Sequence, residues 1–214
     1  MRSRDDVGVR ARGYLAAQAA HLRLLGPAAA SGDDDAVHDA RTATRRLRTA
    51  LSVCRPLVDE GAALGPALRE LGRALGEVRD PAVQAAWLRA ALDSGAVDDT
   101  AARARARLEE DREAARGAGL ARLRRVLASP EHARLLTGLD ELVVQEWKPD
   151  HGTIAHRTAR EWRRLDKALA AAERSGPDER DLALHAARRR ARQARYAAEL
   201  IGADAEHSAA LAGR

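Results

Sequence analysis

Residues Val37 to Ser52 read V-H-D-A-R-T-A-T-R-R-L-R-T-A-L-S, and Leu184 to Glu199 read L-H-A-A-R-R-R-A-R-Q-A-R-Y-A-A-E. In both stretches a histidine is followed by arginines three, seven and ten residues on: His38, Arg41, Arg45 and Arg48, then His185, Arg188, Arg192 and Arg195. At about 100° per residue these offsets fall within roughly 80° of arc on an α-helix. Each stretch therefore predicts a helix with a cationic stripe about 15 Å long. Apolar residues accompany each stripe at alternating spacings of three and four. The first series is Val37, Ala40, Thr44, Leu47, Leu51, Cys54 and Val58; the second is Leu184, Ala187, Ala191, Ala194, Ala198 and Ile201. This is the seam of a helix packed in a bundle. Each stripe residue follows a seam residue by one, which puts the charge beside the core, where it can line a groove between helices.

The rest of the chain reads as helix too. Of 214 residues, 45% are hydrophobic, largely alanine, and Phe is absent. Alanine favours helix and β-branched residues are sparse, so the fold is expected to be all-α. A first helix is expected from about Asp5 to Leu25, ended by Gly26-Pro27. The aspartates of Ser31-Gly32-Asp33-Asp34-Asp35 start the first motif helix, near the positive end of its dipole. It should stop near Asp59 to Gly61. Pro66 suits the first turn of a third helix with an apolar stripe of Leu68, Leu71, Leu75 and Val78. Asp80-Pro81 predicts a break or kink before a segment through Leu92. A charged helix from about Asp98 to Ala128 carries an expected interruption at Gly117-Ala118-Gly119. Ser129-Pro130 opens a helix to about Val144, and Lys148 to Gly152 reads as a linker. Beyond it Thr158, Trp162, Leu165 and Leu169 form a core stripe, while Arg157, Arg160, Arg164 and Lys167 repeat the three-seven-ten basic spacing. Ser175-Gly176-Pro177-Asp178 is a turn into the second motif helix. Helix, turn and histidine helix recur in both halves, which points to an internal repeat of helical hairpins.

Charge narrows the function. Lys148 and Lys167 are the only lysines among 37 basic residues, and the net charge of +5 is small because 32 carboxylates offset them. Arginine presents a planar fork of donors matched to phosphate oxygens and stays charged at cellular pH. The stripes hold few acids, so a local anion site is expected rather than a uniformly basic surface. Tyr14, Trp87, Trp147, Trp162 and Tyr196 make only 2% aromatic residues, too few for stacking along a single-stranded nucleic acid. No phosphate-cradling glycine loop, zinc pattern or calcium loop occurs. Asp33, Asp34, Asp35, His38 and Asp39 are better explained by helix capping than by a metal. No nucleophile, base and orienting acid assemble, so no catalytic residue, metal or cofactor is assigned. His38 and His185, set among guanidinium groups, are expected to be neutral and to donate a hydrogen bond to an anion. Cys54 sits on the seam, where burial as a small hydrophobe is expected. No run approaches the length of a membrane span and M-R-S-R-D-D lacks the apolar stretch of a leader, so a cytoplasmic protein is expected.

The V37-H-D-A-R-T-A-T-R-R-L-R-T-A-L51 stretch closely resembles the signature of the CHAD domain, the conserved histidine α-helical domain. L71-G-R-A-L-G-E-V-R-D80 resembles the next helix of that family, and L184 to L200 its second histidine helix, with Gln193 where the first copy has Arg46. The resemblance implies two pseudo-symmetric halves forming a basic channel that binds inorganic polyphosphate; some members are fused to a triphosphate tunnel metalloenzyme domain and others associate with polyphosphate granules. It implies a single domain over residues 1–214, with a first half of about 5–145, a linker of about 146–153 and a second half of about 154–214. That second half is shortened relative to the family, and a homodimer is one way to complete it. The implied phosphate contacts are His38, Arg41, Arg45, Arg46 and Arg48; Arg73 and Arg79 from the next helix; His185, Arg188, Arg189, Arg192 and Arg195; and, less securely matched, Arg160, Arg164 and Lys167. No E-x-E-x-K pattern occurs, so triphosphatase activity is not implied. The expected function is polyphosphate binding without catalysis, in polyphosphate homeostasis or at granules. The alternative is a nucleic-acid-binding helical protein; under the first reading nucleic acid is only a weak electrostatic competitor.

Overall fold

A computed structural model describes residues 4–58, 63–93, 99–148 and 152–202, and these form seven helices without a strand. They are α1 (Arg4–Ser31), α2 (Asp34–Cys54), α3 (Leu64–Asp93), α4 (Asp99–Leu127), α5 (Pro130–Val144), α6 (Thr153–Arg174) and α7 (Pro177–Leu200). The fold is all-α, as the alanine-rich composition predicts.

The chain forms two compact units that are discontinuous in sequence. Unit 1 comprises Met1–Ala17, Arg46–Ala63 and Leu139–Arg214; unit 2 comprises Gln18–Arg45 and Leu64–Gly138. Helices α1 and α2 thus contribute a part to each. In unit 2, α3 packs on α4, and Leu68, Leu71, Leu75 and Val78 are buried with Leu22, Val37, Leu123 and Leu135. In unit 1, α6 packs on α7, around Leu15, Leu47, Leu142, Ile154 and Leu200. Burying each such leucine contributes about 1.5–3 kcal/mol. Among the described residues, the buried threonines Thr44 and Thr158 both find hydrogen-bond partners. Thr44 donates to the Ala40 carbonyl at 2.8 Å, and Thr158 to the Ala197 carbonyl at 3.4 Å.

Helix ends follow local chemistry where glycine or a capping oxygen is available. Gly32, at φ +94°, takes the left-handed conformation after α1. Its N–H bonds the Ala29 carbonyl and the Asp33 N–H bonds the Ala28 carbonyl, both at 3.1 Å, the paired closure of a Schellman motif. Asp33 then caps α2, its Oδ1 accepting the Ala36 N–H at 2.7 Å. Ser129 does the same for α5, its Oγ accepting the His132 N–H at 3.2 Å.

At three expected interruptions the helices continue. Helix α1 runs through Gly26-Pro27 to Ser31, with Leu22 and Ala29 buried on either side. Helix α3 runs through Pro81 to Asp93. Helix α4 runs through Gly117 and Gly119. An interior proline costs about 3 kcal/mol, an amount that burial of flanking apolar residues offsets. Gly119 has a packing role, for a side-chain carbon there would stand 2.6 Å from the Glu77 carbonyl oxygen of α3. Gly117 has no neighbour within 4 Å. Of the expected linker, Pro149, Asp150 and His151 lie outside the described residues, while the Lys148 N–H bonds the Leu57 carbonyl at 3.1 Å.

Candidate anion-binding site

The α2 seam is buried at every position: Val37, Ala40, Thr44, Leu47, Leu51, Cys54 and, just past the helix, Val58. That fixes the residues one step on. His38 and Arg48 are exposed and Arg41 and Arg45 half-buried, at the edge of the packed face; Arg46, just before Leu47, is half-buried as well. The α7 seam is only partly buried. Ala187, Ala194 and Ala198 are covered, but Leu184 and Ala191 are exposed, contrary to the periodicity. Leu169 of α6, expected in the core, is exposed as well, and Leu182 is 73% exposed. Leu169, Leu182 and Leu184 lie in the turn-side halves of α6 and α7, and Ala191 just past the middle of α7. Toward the other end α7 buries Tyr196, Ala197 and Leu200.

The first stripe meets acids from other helices. In unit 2, Arg41 of α2 donates Nη1–H to Asp80 Oδ1 of α3 at 2.6 Å. Gly76 lies beside this pair, where a side-chain carbon would be in ordinary contact, 3.6 Å from the Arg41 guanidinium carbon and 3.4 Å from Asp80 Oδ2. Arg73 of α3 is held by Glu70, one turn away. Glu70 and Glu77 also receive Arg122 of α4, at 2.9 and 2.5 Å. The Arg122 hydrogen bond, aided by Arg73 and opposed by partial burial, holds the Glu70 carboxyl below the usual carboxylate range. Arg79 is half-buried.

In unit 1, Arg46 of α2, which lies outside the first stripe, and Arg195 of the second stripe reach a shared acid. Arg46 of α2 donates Nε–H to Glu199 Oε2 of α7 at 2.9 Å, and Arg195 Nε lies 3.5 Å from Glu199 Oε1. Tyr14 of α1 donates its hydroxyl to Glu199 Oε2 at 3.0 Å. The Tyr196 ring centroid is 5.7 Å from the Arg46 guanidinium carbon and 5.0 Å from that of Arg195, within cation–π range. Burial first, then the Glu199 charge, raises the Tyr14 hydroxyl well above its usual value. Burial works against the Arg46 charge, but the bond to Glu199 and its attraction outweigh it, and its pKa rises.

The other expected contacts are arranged more simply. His185, Arg188, Arg189 and Arg195 are exposed on α7 and Arg192 is half-buried. On α6, Arg160 and Lys167 are exposed, and Arg164 is taken by Glu161 at 2.5 Å. The acids Asp80 and Glu199 and the rings Tyr14 and Tyr196 are absent from the expected set. Glu199 lies one helical turn after Arg195, a spacing that pairs on any helix; the convergence of Arg46 and Tyr14 on Glu199, and of Arg41 on Asp80, is tertiary. Among the described residues, no helix is long and apolar enough to cross a membrane.

The chain is 35% identical over 181 residues to uncharacterised proteins of Mycobacterium tuberculosis strains CDC 1551 and H37Rv; this covers 79% of the chain and 35% of each relative, so the chain spans about a third of their length. Its fold is similar to that of PptA from Streptomyces chartreusis, with a TM-score of 0.76 at 23% identity over 99% of this chain and 81% of that one. It is also similar to the CHAD domain from the plant Ricinus communis, with a TM-score of 0.69 at 22% identity over 95% and 70%. The profile of the CHAD domain matches residues 13–212. The described residues of the matched span are mostly helical, and the chain belongs to the CHAD domain family.

Proposed function

We propose that this CHAD domain binds inorganic polyphosphate, as a binding module rather than an enzyme, through the arginines and histidines of α2 and α7 with contributions from α3 and α6. The observation that carries this reading is the placement of the α2 arginines. They stand beside a fully buried seam, and Arg41 and Arg46 are oriented by Asp80 and Glu199. Guanidinium groups held in this way lose less freedom on meeting phosphate oxygens than mobile surface side chains do. A polyphosphate chain offers a dense row of anionic oxygens, and binding draws on many modest contacts and on counterion release. A cytoplasmic location, at or near polyphosphate granules, goes with this reading, as does a single domain with two pseudo-repeated halves.

Nucleic acid is the second reading, and the aromatic residues disfavour it. Tyr196 is buried, Tyr14 is tied to Glu199, and Trp147 donates its indole N–H to the Leu142 carbonyl at 2.9 Å beneath the Arg12 guanidinium. None is presented as a stacking platform for bases. The deciding experiment titrates the protein with long-chain polyphosphate and with duplex DNA at matched phosphate concentration across a salt series. Polyphosphate is expected to bind much more tightly, with affinity falling steeply with salt. Equal affinities throughout would favour the nucleic-acid reading.

A further inference from the structure

A carboxylate inside a cationic stripe is at first sight adverse to anion binding, since it cancels charge and repels phosphate. Glu199 is nevertheless built in from three helices. Tyr14 of α1 and Arg46 of α2 both donate to Oε2, and Arg195, one turn back on α7, approaches Oε1. Each guanidinium meets Glu199 through Nε, which leaves the donors on its two terminal nitrogens for a second anion. The buried Tyr196 ring lies against both guanidinium groups. Each arginine thus has an acid at one edge and an aromatic ring nearby, two constraints that together restrict its rotamers.

Two roles fit a carboxylate in such a place. It can be a resident competitor that swings away when phosphate arrives, or a fixed support that aims the arginines. The Tyr14 hydroxyl separates them. A competitor gains nothing from an extra tether, whereas a support is stiffened by one. The phenol is also a dependable donor, because burial and the neighbouring carboxylate keep it protonated. We propose that Glu199, tethered by Tyr14, is a positioning residue that aims Arg46 of α2 and Arg195 of α7 at neighbouring phosphoryl groups of one polyphosphate chain. The proposal rests on the polyphosphate reading above and adds to it the residues that pre-organise the site.

Tyr14→Phe tests this without altering any charge. Loss of one hydrogen bond to a charged group, felt through arginine placement, is expected to weaken long-chain polyphosphate binding roughly three- to tenfold. Glu199→Gln is compared with Glu173→Gln, which removes one charge from an exposed position on α6. Glu199→Gln is expected to bind more weakly than this charge-matched control. In nitrogen-detected or proton-detected spectra, the Arg46 Nε–H resonance should be distinct in the unmodified protein and averaged toward the free-arginine position in Tyr14→Phe and Glu199→Gln. An affinity in Tyr14→Phe equal to that of the unmodified protein would overturn the proposal, as would tighter binding by Glu199→Gln than by Glu173→Gln, the mark of a competitor. If Tyr14→Phe does not fold, as judged by helicity and thermal unfolding, the Glu199 and Glu173 pair decides. Failure of the unmodified protein to bind polyphosphate removes the functional reading itself, whereas retained binding with an indifferent Tyr14→Phe removes only the positioning role.

Discussion

Gly119 of α4 lies against the main-chain carbonyl of Glu77 in α3, so closely that a side-chain carbon would stand 2.6 Å from the oxygen. That carbonyl is also the one that Pro81, four residues on and lacking an N–H, leaves without its usual helical donor. Two residues that read as helix breakers therefore act at one point of contact. The proline frees a carbonyl, and the glycine lets the neighbouring backbone come up to it.

Gly119→Ala is expected to destabilise the protein although alanine is the better helix former. The propensity gain of about 1 kcal/mol is set against overpacking that costs about 1–3 kcal/mol, here against backbone that cannot rotate away. Gly117→Ala, with no atom within 4 Å, should instead stabilise by about 0.5–1 kcal/mol. Thermal unfolding of the two variants side by side checks the opposite signs.

Both motif helices are expected to contribute to polyphosphate affinity. Replacing Arg45 and Arg48 with Ala should weaken binding by about 1–3 kcal/mol, and replacing Arg192 and Arg195 by a similar amount, since charged hydrogen bonds fall in that range. Helicity should not fall, because alanine is a good helix former. Calorimetric titration with circular dichroism measures both. An effect confined to the first pair would make α7 a structural element only.

His38 and His185 are exposed beside arginines, where each can give one hydrogen bond to a phosphate oxygen. A His38→Gln, His185→Gln double variant is therefore expected to keep binding polyphosphate. No phosphate should be released by either protein, with or without Mg²⁺. Release of phosphate, or a phosphohistidine at His38, would show an enzyme.

His132 on α5 should give stability its own acid limb. Burial lowers its pKa from the ordinary 6.5, so the folded protein holds it neutral where the unfolded chain takes up a proton. The stability this represents is complete above about 6.5 and is lost as pH falls below that value. Thermal unfolding at pH 7.5 and 5.5 should show a smaller difference in His132→Gln than in the unmodified protein. Equal differences would assign the acid limb to other groups.

What could be read from the sequence divides along a physical line. The α2 seam was readable residue by residue, because leucine, valine and cysteine at strict spacing leave one helical face to bury. The α7 seam is mostly alanine, and a methyl group carries too little burial energy to enforce a face; Ala191 accordingly stays exposed, and so does Leu184 at the start of the seam. Proline and glycine misled at Pro27, Pro81 and Gly119 because their cost is local while the packing that offsets it comes from elsewhere in the chain. The cationic residues were visible as a pattern, but the acids that orient them were not. Asp80 meets Arg41, and Glu199 meets Tyr14 and Arg46, only when α3 and α7 fold back on helices distant in sequence.

The division of the chain also bears on the order in which it can fold during synthesis. Every segment of unit 2, Gln18–Arg45 and Leu64–Gly138, has been made once Gly138 leaves the ribosome. Unit 1 holds the earliest residues, including Tyr14, yet it needs α7 to close. Tyr14 and Arg46 must therefore wait, without their carboxylate, until Glu199 emerges.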